Sequence, residues 1–134
     1  MAFLNCVSIS SIILPDNLKT IGVSSFKNCK NATTIEFGTG LTSIGETAFA
    51  DCSRVSSIVI PENVNLLGVS AFANCANVTS VTVGLGITTT QQFGIGMFAN
   101  CNSLTSVTMA SSLIKTATAK YFSNYNNINY FYIY

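Results

Sequence analysis

The chain has 134 residues, enough for one domain with a buried core. Charged residues make up 8% of it, against roughly 25% in an average soluble protein, and the net charge is +1 with neither His nor Trp present. That balance excludes a basic stripe that tracks phosphates and an acidic tail, and 49% apolar residues exclude a disordered chain.

From the N-terminus, Met1-Ala2-Phe3-Leu4-Asn5-Cys6 carries no basic residue and no apolar stretch of signal-peptide length. The longest aliphatic run, Ile12-Ile13-Leu14, is far below the ~20 residues of a membrane span. The expectation is a chain kept inside the cell, exported by another route, or cut from something longer.

Phenylalanine then recurs at Phe3, Phe26, Phe49, Phe72, Phe98 and Phe122, at intervals of 23, 23, 23, 26 and 24 residues. Three residues later stands Cys6, Cys29, Cys52, Cys75 or Cys101, and finally Tyr125. Asn or Asp precedes each of these: Asn5, Asn28, Asp51, Asn74, Asn100 and Asn124. Two aliphatic columns follow, Ile12, Ile35, Ile58, Val81, Val107, Phe131 and Leu14, Phe37, Ile60, Val83, Met109, Ile133. Such self-similarity at a fixed period is the signature of a stacked repeat.

Within a unit, alternation such as Ile58-Val59-Ile60 and its β-branched residues predict a short strand. Pro15, Gly38, Pro61 and Gly84 end these strands in successive units. Gly22, Gly45, Gly68 and Gly94 read as sharp bends, and Ala-Phe-x-x-Cys as one helical or 3₁₀ turn on the back of the unit. A three-residue insertion is placed near Leu85-Gly86-Ile87, with Gly84-Leu85-Gly86 and Gly94-Ile95-Gly96 accommodating it. Each unit has about seven apolar side chains to bury, for instance Leu41, Ile44, Phe49, Cys52, Val55, Ile58 and Ile60. A 23-residue unit cannot cover these alone, so the units must stack and their strands align as one parallel sheet. The prediction is a single solenoid domain over 1–134 of about six repeats, with short parallel strands, turns and little helix. Its first repeat is incomplete, its insertion lies near 85–90, and its last repeat is aromatic.

The Leu-x-x-Ile-Gly, Ala-Phe-x-x-Cys and Ile-x-Ile-Pro blocks, cleanest from Leu18 to Val83, resemble the BspA-like subgroup of leucine-rich repeats. The resemblance implies a right-handed, α/β-type leucine-rich-repeat solenoid. It also implies a cell-surface or secreted adhesin that binds other proteins, host matrix proteins among them.

The candidate sites divide by chemistry. Cysteines one repeat apart point the same way and have no His beside them, which favours a buried ladder of thiols over some disulfide bridging between neighbours or zinc ligands. In the Asn/Asp column each side chain is expected to bond turn backbone, since Ca²⁺ needs several carboxylates together and the column holds only Asp51. No serine or threonine has a base beside it, so neither a catalytic constellation nor a cofactor or metal site is predicted. Asn31-Ala-Thr33 and Asn77-Val-Thr79 match the glycosylation sequon.

The outward strand positions form the candidate ligand face: Thr34, Glu36, Ser57, Val59, Ser80, Thr82, Ser106, Thr108, Tyr130 and Tyr132, with Ser11 and Ile13 at its start. Extended faces of this kind are where repeat proteins bind. The expected function is a non-enzymatic protein-binding or adhesion module at the cell surface, with no nucleic-acid partner and no membrane span. The alternative is a cytoplasmic or cytoskeletal scaffold joined to a larger assembly, or to itself end to end, through ends that lack polar caps.

Overall fold

A computed structural model describes residues 1–89, 92–113, 121 and 128–132. Phe122, Asn124, Tyr125 and Ile133, which complete the expected columns, lie outside these residues. The chain winds as stacked coils with three sides. One side carries β1 (Ser11–Ile13), β3 (Thr34–Glu36), β5 (Ser57–Ile60), β7 (Ser80–Val83), β8 (Ser106–Met109) and β9 (Asn129–Tyr132). The second carries the two-residue strands β2 (Thr20–Ile21), β4 (Ser43–Ile44) and β6 (Leu66–Leu67). All pairings are parallel.

The third side holds the Phe-x-x-Cys segments, and here the helical turn does not form. The amides of Ala48, Ala50 and Cys52 close turns onto the carbonyls three residues back, at 3.2–3.3 Å. The alternating amides of Thr47, Phe49 and Asp51 instead donate to Val69, Ala71 and Ala73 of the next coil, at 2.8–2.9 Å. A helix would use every amide within its own coil. Consecutive turns leave every second one for stacking, which satisfies backbone that would otherwise be buried unpaired. This route needs left-handed residues, and two columns supply them: Ser24, Thr47, Ser70 and Gly96 (φ 50–63°), and Asn5, Asn28, Asp51, Asn74 and Asn100 (φ 59–66°). Asn and Asp tolerate that conformation better than other side chains.

The glycine column acts differently from the expected bends. Gly45, Gly68 and Gly94 are not left-handed. A Cβ on Gly68 would strike Glu46 N and the carbonyl carbon of Gly45, and one on Gly94 would strike the carbonyl group of Gly68. These glycines let one coil's backbone lie directly on the next. Gly38 and Gly84 do the same against Pro15 and Pro61, and Gly40 and Gly86 against Asp16 and Glu62. Gly84-Leu85-Gly86 is therefore a regular column feature and does not accommodate the insertion. Val64 and Leu67 are three positions apart while their counterparts Ile87 and Phe93 are six apart, so the extra residues fall after Ile87, with Phe93 bridged to Leu67. The Gln92 carboxamide oxygen accepts the amides of Thr88 (2.7 Å) and Thr89 (2.9 Å) and holds that loop in place.

The core is one continuous cluster. Leu41, Ile44, Phe49, Cys52, Val55, Ile58 and Ile60 are all buried, as their spacing predicts. Phe3, Phe26, Phe49, Phe72 and Phe98 stand in single file, with ring centroids 5.1, 5.2, 5.3 and 5.6 Å apart and near-parallel planes. Phe37 leans edge-on against Phe49 (5.5 Å) and Phe72 (6.4 Å).

The long-strand side is divided where one sheet is expected. β1 pairs with β3, and β5-β7-β8-β9 form a second sheet, with no ladder between β3 and β5. At neither end of β5 does a backbone amide reach back to the preceding coil. Thr33 and Thr79 bond back to the preceding coil through both amide and hydroxyl, whereas Ser56 does not. Gly84 N donates to Ile60 O at 3.0 Å, but Pro61 has no hydrogen to donate to the coil before it.

Candidate functional site: the strand face and its neighbours

The outward residues of the long strands lie side by side. Ser11 is level with Thr34, and Ser57 with Ser80 and Ser106. Ile13 is level with Glu36, and Val59 with Thr82 and Thr108. Thr34, Glu36, Ser57 and Val59 are exposed, and Ser80, Thr82, Ser106 and Thr108 are half-buried. Ile13 (68% exposed) and Val59 (59%) stand out into solvent, although such β-branched residues usually turn inward.

The last strand departs from the expected alignment by one residue. Tyr130 pairs with Val107 and Tyr132 with Met109, so neither is level with Ser106 or Thr108. Asn129 is the residue level with Ser106, and Phe131 the one level with Thr108. Alignment by the Phe column sets the last unit at 24 residues, while the ladder joins Ser106 to Asn129 at 23.

Two hydroxyl columns run along this side and do different work. Thr33, Thr79 and Thr105 donate to Ser10, Ser56 and Thr79 carbonyls at 3.2–3.3 Å, so the fold itself uses them. The neighbouring hydroxyls of Ser11, Thr34, Ser57, Ser80 and Ser106 make no side-chain hydrogen bond among the described residues and are available to a ligand. Glu36 is the one charge in these two outward columns. The arrangement offers a flat, uncharged surface with donor-acceptor groups at strand spacing of about 4.8 Å.

The cysteine column is a ladder of thiols. Cys29, Cys52, Cys75 and Cys101 each donate to the carbonyl of the phenylalanine one coil before, at 3.2–3.3 Å. Burial pushes the Cys52 thiol up to about 12 and Cys101 to about 11, and raises Cys29 and Cys75 as well, from an ordinary value of 9.0. These groups are proton-bearing in the fold and ionise readily only when unfolded. Their contribution to stability is fully present below pH 9 and is lost as pH rises through the range where the unfolded thiols ionise and the folded ones do not. Chemical denaturation followed from pH 7 to pH 11 is expected to show stability falling steadily above pH 9, and Cys52→Ala is expected to flatten that fall.

The Asn/Asp column also differs from the expected backbone bonding. Asn28, Asn74 and Asn100 each donate Nδ2 to Oδ1 of the column member one coil before, at 2.8 Å. No such bond joins Asp51 to Asn28, because an ionised carboxylate has no hydrogen to give. Of the sequons, Asn31 is engaged, with Nδ2 donating to Val7 O at 2.8 Å.

Sequence reasoning missed an exposed apolar column on the β2-β4-β6 side. Val23, Val69 and Ile95 each follow a column glycine and stand exposed, with Leu66 beside them and Glu46 in the same column. The apolar residue directly after Gly in three of four units was the available signal. Among the described residues no helix is long and apolar enough to cross a membrane, and no group of three or more Cys, Asp or Glu is placed to hold an ion.

Among solved structures, the chain is similar to a leucine-rich repeat protein of T. pallidum, with TM-score 0.76 and 31% identity over 80% of this chain and 49% of that one. It is also similar to a leucine-rich repeat protein of Bacteroides ovatus, with TM-score 0.80 and 20% identity over 98% of this chain and 32% of the other. A leucine-rich cell surface protein of Faecalibacterium prausnitzii matches with TM-score 0.66 and 30% identity, over 74% of this chain and 25% of that one. The chain thus spans half or less of each of these proteins. No curated protein matches its sequence. The model of the BspA-type leucine-rich repeat region matches residues 1–129 in six copies, and a match over nearly the whole length makes this chain a member of that family.

Proposed function

We propose that this protein is a non-enzymatic adhesion module, displayed at the cell surface, that holds a protein partner against its long-strand face. The family supports a protein-interaction module in general. The observation that carries the finer reading is the face itself. Ser57, Ser80 and Ser106 present unused hydroxyls in one row beside Val59, Thr82 and Thr108, with no charge on that four-stranded part. A face of this kind suits an extended polypeptide, whose backbone groups meet hydroxyls and whose apolar side chains meet Val59 and Ile13. Cell-surface display is supported by the F. prausnitzii relative, whose name describes a cell surface protein.

The test is binding to a panel of immobilised extracellular-matrix proteins by wild type and by a Ser57→Arg, Ser80→Arg double variant. Both side chains lie outside the core, so circular dichroism is expected to be unchanged while binding is lost. Binding that survives both substitutions would remove this face from consideration. Display is tested separately, by protease shaving of intact cells that make the protein, where loss of the chain is the expected result.

A further inference from the structure

We propose that the side of the coils carrying β2, β4 and β6 holds a second binding site, for a proline-rich segment of another protein that bears a basic side chain. The site lies away from the long-strand face and does not rest on ligand binding there.

The site is a furrow along the stack. Gly45, Gly68 and Gly94 form a column without side chains, because a Cβ on any of them would strike the backbone of the preceding coil. Thr20, Ser43 and Leu66, level with one another, make one bank. Val23, Glu46, Val69 and Ile95 make the other, kept in step by amides of Ser24, Thr47 and Ser70 that donate to the next coil at 2.9–3.0 Å. Val23, Leu66, Val69 and Ile95 are 45–71% exposed, so the banks present a continuous apolar surface to solvent.

Coil spacing and bonding select among extended partners. An added β-strand needs free backbone groups. Here they are taken: the Gly45 and Gly68 amides donate to Ile21 and Ile44 at 2.8 Å, and the Glu46 and Val69 carbonyls accept from Ser24 and Thr47 at 2.9 Å. An α-helix has a pitch of about 5.4 Å and slips about 1.2 Å for every two coils of about 4.8 Å each. A polyproline II helix repeats every three residues, about 9.3 Å, and two coils span about 9.6 Å. Prolines three apart therefore meet Val23 and Val69, which are two coils apart, almost without drift.

Charge and hydrogen bonding complete the match. Glu46 stands midway between Val23 and Val69, is exposed, and pairs with no cation among the described residues. A basic side chain between the two prolines falls over it. Polyproline II makes no internal hydrogen bonds, so its carbonyls need donors. The Thr20 and Ser43 hydroxyls on the opposite bank are bonded to nothing among the described residues and can supply them. A second copy is a poorer partner, since Pro15 and Pro61 are each followed by an acid, Asp16 and Glu62. Ile13, Glu36 and Val59 repeat the apolar-acid-apolar order on the long-strand face, but Thr34 and Ser57 stand in the column beside them, where the furrow has glycine.

Fluorescence anisotropy of a labelled peptide, nine residues of proline with arginine at the centre, tests this by titration with protein to about 1 mM. The expected result is saturable binding that weakens with added salt. Replacing the prolines with glycine and serine is expected to weaken it at least about tenfold, because the preformed helix is lost. Glu46→Gln and Val69→Ser are each expected to weaken it at least about fivefold, with unchanged circular dichroism because both side chains are exposed. In NMR spectra of the wild-type protein, the peptide is expected to shift amides at 43–46 and 66–69 and not at 34–36 or 57–60. Absence of binding at the highest concentration would overturn the proposal. So would equal binding of the glycine-serine peptide, or shifts on the long-strand side in place of the furrow. Self-association of the protein that Val69→Ser abolishes would give the furrow to a second copy and overturn it as well.

Discussion

Phe49→Ala is expected to cost about 4 kcal/mol, a large part of the stability of a domain this size. Phe49 is fully buried between the rings of Phe26 at 5.2 Å and Phe72 at 5.3 Å, and Phe37 meets it edge-on at 5.5 Å. Truncation removes three ring contacts and leaves a hole in a file of flat rings. The coils above and below are held apart by their own backbone bonds and cannot close it. Phe3→Ala removes one ring contact from an exposed site and is expected to cost less than about 1.5 kcal/mol. Urea denaturation of the two variants measures the difference. Equal losses would show that the file does not carry the stack. Because each coil touches only its neighbours, the effect of Phe49→Ala is expected to appear as faster hydrogen exchange on both adjacent coils.

Gly68→Ala is expected to cost about 3 kcal/mol, while Gly22→Ala stays within about 1 kcal/mol of wild type. The two glycines share a column, neither is left-handed, and they differ in what lies against them. At Gly68 a methyl group would collide with Glu46 N and the carbonyl carbon of Gly45, and backbone cannot move aside as a side chain can. At Gly22 only the Ser25 hydroxyl is near, at 3.2 Å. If these glycines were needed for bending the chain, both substitutions would cost the same. Thermal unfolding of the pair therefore separates close approach from local conformation.

The alignment of the long strands followed from the columns alone. A strand period of two with hydroxyls outward placed Ser57, Ser80 and Ser106 in one row, and the ladder registers agree. In the last strand the ladder runs one residue off that alignment, with Asn129 level with Ser106 and Phe131 with Thr108. Alignment through Phe122 assigns the last unit one residue more than its strand pairing uses, and a single residue exchanges the two faces of a strand. The division of the sheet was equally hidden, because Ser56 and Pro61 look like ordinary members of their columns until the rungs they fail to make are seen.

Repetition at 23 residues was sufficient to establish the stack and its interior, since identical side chains at a constant interval can all be buried only by lying over one another. Phe26, Phe49, Phe72 and Phe98, the thiols beneath them and the two aliphatic columns could be read from spacing for that reason. Which groups serve neighbours instead of their own turn was decided in three dimensions. The glycines make room for another coil's backbone, the Asn side chains bond one another, and alternate amides leave their own turn for the next coil. Each of these choices depends on a distance between coils, a quantity set only once the coils have packed.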